Sequence, residues 1–396
     1  MSSLNLGLVQ VANIAISKTN IEKHLMKILH LSAVKTWGGG ENQIELLCEE
    51  LEAGFPEVEN IILCVKEGSF HKKLKNTNLS LKTAPLSFNF DLRYSLKIGR
   101  ICKKEQIDLI HIHDPKALSL VVIADKFYGL PLMVFSKKTS FSIKKRKQTL
   151  FKYNYPKLKR IFCVSEKTKA ITAETLKDHS RLKIIYHGLS IKKQKNTSAK
   201  IDLREKLGLA KDVVLVGNIG NHIPAKDLAT FIETAEKVTQ RQEKTKFHFV
   251  QIGQFTSETP HFLKQLKEKK LKTEISFLDF IENASVLIPQ LNFLLLTSNS
   301  EGIPNVIYEA FYHKTPVIAT NVGGIPEIVT HMKNGLLADA FDAEKLAKYV
   351  LFLENNRELI PRFTENAHKK VVENFTTKKM AQQTLLEYKN VLYGRY

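Results

Sequence analysis

Thr297-Ser298-Asn299-Ser300-Glu301-Gly302-Ile303-Pro304-Asn305-Val306-Ile307-Tyr308-Glu309-Ala310 is the stretch whose reading decides the fold. The run before it, Phe293-Leu294-Leu295-Leu296, is short, continuous and apolar, which predicts a strand buried on both faces of a parallel sheet. Ser300-Glu301-Gly302 ends that strand in a loop needing backbone freedom, and Pro304 stands where a helix begins, because a first-turn residue needs no N–H. Val306, Ile307, Ala310 and Phe311 then recur at helical spacing toward the sheet, which leaves Glu309 on another side. Pro316-Val317-Ile318-Ala319-Thr320 supplies the next strand. A loop at the carboxyl end of a parallel strand is where open α/β sheets bind ligands. Free amides at a helix start hold phosphate, and a carboxylate beside them accepts sugar or ribose hydroxyls. A second turn, Asn321-Val322-Gly323-Gly324-Ile325-Pro326-Glu327, predicts another backbone nest at the same edge, and two nests side by side point to a diphosphate.

These residues resemble a known site. Glu301-Gly302-x-Pro304 with Glu309, followed by the strand at 316–320, Gly323-Gly324-x-x-Glu327 and Asn334-Gly335-Leu336-Leu337, is similar to the nucleotide-sugar site of the retaining family-four glycosyltransferases, whose signature is two glutamates eight positions apart. The resemblance implies the α/β GT-B fold: two Rossmann-like, doubly wound parallel-sheet domains facing each other across a cleft, with a C-terminal helix crossing back to the first domain. It also implies a nucleoside-diphosphate sugar as co-substrate, a saccharide or lipid-linked acceptor of envelope polysaccharide or lipopolysaccharide synthesis, and retention by front-face attack. In that reading Glu309 holds ribose, Glu301 orients the donor sugar, and Gly302, Ile303 and Pro304 line the diphosphate. No cofactor and no metal is expected, since no Asp-x-Asp ends a strand.

The length of 396 residues admits two domains, and the composition is that of an ordinary globular protein. Cys48, Cys64, Cys102 and Cys163 have no metal-like spacing and read as core thiols of a reducing, cytoplasmic compartment. The longest apolar run, near residues 118–135, is cut by Asp125 and Lys126, so it does not cross a bilayer as one segment. The net charge of +20 calls for an anionic partner: nucleic acid, lipid headgroups or phosphorylated substrates.

Residues 1–25 read as an N-terminal extension without chemistry, 26–191 as the first domain, 192–200 as a lysine-rich linker, 201–376 as the nucleotide-sugar domain and 377–396 as the returning helix. After the first strand, Gly38-Gly39-Gly40 opens a helix, and Gly39 and Gly40 are candidates for close approach by phosphate or acceptor. The strand at 107–115 carries His111 and His113 on one face, with His113 and Asp114 at its tip. The resemblance gives His113 a cleft role; a metal site lacks a third ligand at useful spacing. Residues 136–160 hold many basic side chains and no acid, interleaved with Phe141, Phe151, Tyr153 and Tyr155, a pattern fit for nucleic acid or for a membrane interface. The resemblance favours peripheral contact at the inner face of an anionic membrane, with no nucleic acid, and assigns Lys137 or Lys138 to the diphosphate. Ser165 caps the helix that follows it. In the second domain, Lys226 matches the family's diphosphate lysine. Asn218 stands at the arginine position with His222 as a substitute, and the resemblance places Phe280 or its neighbours beside the nucleobase. A sugar-nucleotide epimerase of related fold and a basic nucleic-acid-binding protein remain as other classes.

Overall fold

The computed structural model describes residues 25–88, 90–195, 199–241 and 245–394; most of the amino-terminal extension, at 1–24, lies outside them. Each short apolar run of the first half becomes a strand: β1 (Met26–Leu31), β2 (Val58–Val65), β3 (Ser80–Ala84), β4 (Leu109–Ile112), β5 (Leu132–Lys137), β6 (Leu158–Cys163) and β7 (Leu182–Ile184). The second half adds β8 (Val214–Ile219), β9 (Phe247–Ile252), β10 (Ile275–Leu278), β11 (Phe293–Leu296), β12 (Val317–Thr320) and β13 (Leu336–Ala338). Their order is β3-β2-β1-β4-β5-β6-β7 in one sheet and β10-β9-β8-β11-β12-β13 in the other, with every pairing parallel. Both sheets are doubly wound, and strand order reverses beside β1 and beside β8, the crevice positions where such sheets take ligands.

Continuous apolar strands need cover on both faces, and helices supply it. In the first domain Tyr94, Ile98, Leu118 and Val121 pack from helices onto Leu29, Leu31, Ile110 and Ile112. In the second, Val306, Ile307, Ala310 and Phe311 are all buried, as helical spacing requires, and share a core with Leu294 and Leu296. Among the described residues no helix is long and apolar enough to cross a membrane, and the four cysteines are free and buried.

The carboxyl-terminal helix, Thr377–Tyr393, returns to the first domain. Met380, Ala381, Leu385, Tyr388 and Val391 pack against Ile28, Leu47, Leu51, Leu109 and Phe162. Tyr388 also bonds its hydroxyl to His111 Nδ1 at 2.5 Å. The two stretches of chain that pass between the domains are tied together: Leu189 N–H donates to Phe375 O (2.8 Å) and Thr377 N–H to Leu189 O (3.1 Å). The expected linker begins differently from its polar reading. Residues Ile191–Lys195 form a short helix, and Lys193 sits between Glu45 (3.0 Å) and Glu49 (2.9 Å), one turn apart on the first domain's first helix; residues 196–198 lie outside those described. A lysine facing two carboxylates has a fixed place that composition does not reveal.

Tyr388 is fully buried, so Tyr388→Ala should remove about 3–5 kcal/mol of unfolding free energy in urea. A loss below about 1 kcal/mol would mean that the returning helix is not docked in solution.

Candidate active site

The tips of β8, β11 and β12 assemble one polar edge. Thr297 Oγ1, one residue past β11, donates to the carbonyls of Lys226 and Asp227, and Asn299 N–H donates to Ala225 O (2.9 Å). These bonds hold the Pro224–Lys226 turn against the loop, and Lys226 Nζ meets Glu301 Oε1 at 2.5 Å. Ser298 Oγ donates to the same oxygen at 2.8 Å. Two predicted site residues are therefore paired with each other, both largely buried.

Gly302 and Gly323 are where the edge is tightest. A Cβ on Gly302 would collide with the Lys138 carbonyl of the first domain, and Gly323, at φ +56°, lies against the Glu301 carbonyl. Gly324 N–H donates to Gly302 O at 2.7 Å. This corrects the expectation of two adjacent open nests: the second turn's amide is spent on the first turn, because neighbouring parallel strands bring their tips into contact. Ile303 and Pro304 are buried in the joint, and the helix begins at Asn305.

The first domain meets this edge at several points. Ser140 Oγ donates to Glu301 O. Asn305 Nδ2 donates to Gly39 O (3.2 Å), Gln43 Nε2 to Asn305 Oδ1 (3.2 Å), and Lys138 Nζ to Gly40 O (2.8 Å). Gly39, Gly40 and Lys138 thus come together as one unit, with the glycines already in the first turn of the Gly39–Gly54 helix. Burial pushes the Lys138 ammonium down to about 8, against the opposing pull of Glu41 and Asp114.

Glu309 faces a cavity of about 230 Å³ between the domains, lined also by Trp37, Gln43, Asn283, Asn305 and Tyr308. Its carboxylate has no hydrogen-bond partner among the described residues, and desolvation raises it to about 7. Trp37 Nε1, Glu45 Oε2 and Tyr308 Oη, on three residues of the same lining, are buried without partners. Unpaired buried polar atoms around one space are what a hydroxyl-rich ligand satisfies.

Residues 199–370 match the family described as glycosyl transferases group 1, and residues 37–193 match Glycosyltransferase Family 4. The chain is a family-four glycosyltransferase of the GT-B fold. It is 23% identical over 321 residues to the N-acetyl-alpha-D-glucosaminyl L-malate synthase of Bacillus anthracis, covering 76% of this chain and 80% of that one. It is 23% identical over 294 residues to the UDP-Gal:alpha-D-GlcNAc-diphosphoundecaprenol alpha-1,3-galactosyltransferase of Escherichia coli, covering 72% and 76%. The crystal structure of Anabaena HepE in complex with UDP-glucose superposes with a TM-score of 0.80 at 20% identity, over 92% of this chain and all of that one, a likeness of fold.

Two expected donor residues of this glycosyltransferase lie elsewhere. Asn218 is buried within β8, which continues to Ile219, and its Nδ2 donates to Leu295 O (2.8 Å) on β11 rather than facing the cleft. His222 is also buried, bonded to Thr259 (2.9 Å) and Gln251 (2.5 Å). The loop leaves the sheet later than a two-glycine reading implies. Phe280 is exposed, while its neighbours Asn283, Ser285 and Val286 line the cavity.

His113 is buried beside a chamber of about 30 Å³ that it shares with Lys138, His187 and Ser136. Spacing alone hid its partner: β1 pairs with β4 and sets His30 opposite His111, so that ring nitrogens of His30, His111 and His113 lie within 4.8 Å of one another. The third imidazole judged missing is present. The rings pack against one another, with centroids 5.3 Å apart for His30 and His113 and 4.0 Å for His111 and His113. His30 Nδ1 meets His113 Nε2 at 3.0 Å, His30 Nε2 meets Asn60 Oδ1 at 3.0 Å, and His111 lies between Tyr388 and Ser136. Burial holds all three rings well below the usual imidazole range, His30 at about 4. Sequence reasoning also passed over Gln43, Asn305 and Ser140. Asn305 stands inside the quoted motif and Gln43 three residues after the glycines, so position was the available signal.

A histidine whose folded pKa lies below its unfolded value contributes stability above about pH 6.5, lost as pH falls toward about 4. For His30 the swing is about 3 kcal/mol. His30→Gln should flatten the pH dependence of urea unfolding between those values by about that amount; an unchanged slope would show that the ring titrates normally.

Proposed function

We propose that this glycosyltransferase moves a sugar from a nucleoside-diphosphate sugar to a saccharide or lipid-linked acceptor of cell-envelope glycan synthesis, with retention of anomeric configuration. The observation that carries the reading is Glu309, an unpaired, half-buried carboxylate in an interdomain cavity, one helix away from the Lys226–Glu301 pair. UDP as the nucleotide is supported by the fold shared with HepE in complex with UDP-glucose, and a lipid-linked acceptor by the printed name of the Escherichia coli relative.

The chemistry follows from charge. As the bond between the anomeric carbon and the phosphate oxygen breaks, its electron pair stays on the diphosphate. A cation already at the site stabilises that charge without reorganising solvent. Lys226 exchanges Glu301 for the diphosphate, assisted by the first-turn amides of the Asn305–Tyr312 helix. Glu301, kept in place by Ser298, is then free to accept hydroxyls of the donor sugar. Glu309 accepts the ribose hydroxyls in its cavity. The acceptor hydroxyl bonds to the anomeric carbon on the face the diphosphate leaves, and its proton passes to the departing phosphate oxygen. Lys138 and His113 close the site from the first-domain side. Lysine and amides carry the charge in this scheme, so it calls for no metal ion.

Glu309→Ala should abolish sugar transfer and leave the melting temperature of the ligand-free protein intact; undiminished turnover would remove Glu309 from its role. Because its carboxyl titrates near 7, donor affinity should rise as pH is raised from 6 to 8 and the Glu309 carboxylate gains its charge, and Glu309→Gln should bind with no such rise.

Lys226→Ala should lower kcat by about 10²–10³ with a smaller change in KM, and wild-type turnover in EDTA should match that in buffer. A strong EDTA effect would transfer the charge-neutralising role from Lys226 to a metal ion.

A further inference from the structure

The hydrogen bonds among the buried imidazoles form a line with a direction. Asn60 on β2, His30 on β1 and His113 just past β4 belong to three adjacent strands, and all three side chains are buried. His30 uses both ring nitrogens: Nε2 meets Asn60 Oδ1 and Nδ1 meets His113 Nε2, each at 3.0 Å. His111, packed on His113, also uses both, on the hydroxyls of Tyr388 and Ser136. His113 Nδ1 is what remains, since among the described residues nothing bonds to it.

A neutral imidazole has one N–H and one bare lone pair, so fixing the proton at one end of the line fixes it at the other. An amide oxygen only accepts, so the Nε2 of His30 carries hydrogen. Its Nδ1 is then bare, His113 Nε2 must donate to it, and the Nδ1 of His113 is left as a lone pair. Reversing the order requires turning the Asn60 amide over. Glu52, on the helix Gly39–Gly54, opposes that turn: burial raises its carboxyl and the Asn60 side chain lowers it. Of the amide's two ends the nitrogen lowers a carboxyl, so Nδ2 lies on the Glu52 side, at a reach beyond an ordinary hydrogen bond. The planes of His30 and His113 are 13° apart and their centroids 5.3 Å apart, so the two nitrogens point at each other along one line. Ligands of a shared metal ion would instead aim at a common third point.

Burial, with His111 and Lys138 beside the ring, keeps His113 neutral. The chamber of about 30 Å³ that it shares with Ser136, Lys138 and His187 has room for a hydroxyl or a water, and Gln43 lines both this chamber and the cavity of Glu309. An imidazole lone pair accepts from O–H and repels a phosphate oxygen, which is itself an acceptor. We propose that Asn60 and His30 are positioning residues that hold His113 with Nδ1 as the acceptor for a hydroxyl of the donor sugar, not for its diphosphate. The hydroxyl rests on the proposed donor chemistry; the order of protons does not.

The test is nitrogen NMR of the full chain labelled at histidine, with His113 assigned from the signals lost in His113→Gln. Its Nδ1 should resonate as an unprotonated ring nitrogen and its Nε2 as a protonated one, from about pH 6 to about pH 8. Asn60→Asp, which keeps an acceptor, should hold this pattern, and Asn60→Leu, which removes it, should give mixed tautomers at both His30 and His113. UDP-glucose should shift the Nδ1 signal, and UDP, which lacks the sugar, should leave it in place. A protonated Nδ1 in the wild type would overturn the proposal whether or not Asn60→Leu folds. So would a folded Asn60→Leu with unchanged tautomers, or a metal ion retained in stoichiometric amount whose removal changes all three rings. UDP that moves Nδ1 as far as UDP-glucose does, or UDP-glucose that raises the melting temperature without moving Nδ1, would overturn the hydroxyl assignment. UDP-glucose that neither stabilises the protein nor shifts any signal would sink the donor reading and that hydroxyl with it, while the tautomers still decide the roles of Asn60 and His30.

Discussion

A parallel sheet has to place every strand's carboxyl end on one edge, and this protein sets two such edges against each other. The contact is made by backbone: Gly302 lies on the carbonyl of Lys138, and the turn at Gly323-Gly324 lies on the loop at Glu301-Gly302. With no Cβ between them, two loops and a strand tip come within hydrogen-bonding range, and the polar groups that end the strands are delivered to one crevice. Glu301 and Lys226 meet beyond the ends of β11 and β8, Lys138 and His113 stand one residue past β5 and β4, and Glu309 lies on the helix that follows β11.

Inside the crevice the charges are arranged so that a ligand has something to replace. Lys226 and Glu301 neutralise each other, Glu309 is held without a partner, and the histidines behind the first-domain wall are kept neutral by burial. In the proposed reaction an incoming anion with hydroxyls separates the first pair and gives Glu309 the bonds it lacks. Polar bonds also join the two domains. Glu327 of the second domain accepts N–H bonds from Glu166 (2.9 Å) and Lys167 (3.1 Å), capping a first-domain helix, and an O–H bond from Tyr186 (3.0 Å). Such contacts exchange readily with water, whereas the apolar seat of the returning helix does not.

The architecture was legible because its signals are local. Four-residue apolar runs, glycine turns and Pro304 mark strand, loop and helix over a few residues each, and the two halves repeat the same grammar. Asn218 shows the limit: its place beside glycines resembled a loop position, but β8 runs one residue further and turns the amide into the sheet. His30 shows another, since nothing within β1 announces that β4 will lie beside it.

By itself, then, the sequence determined the two parallel-sheet domains, the glutamate pair in the loop and helix that follow one strand, and the strongly basic character, all consequences of short-range pattern and composition. Tertiary structure alone decided that Lys226 pairs with Glu301, that Glu309 has no partner among the described residues and titrates near 7, and that three imidazoles pack together in the core. The physical reason is that charge state and exposure depend on what surrounds a side chain, and here those surroundings come from residues far away along the chain.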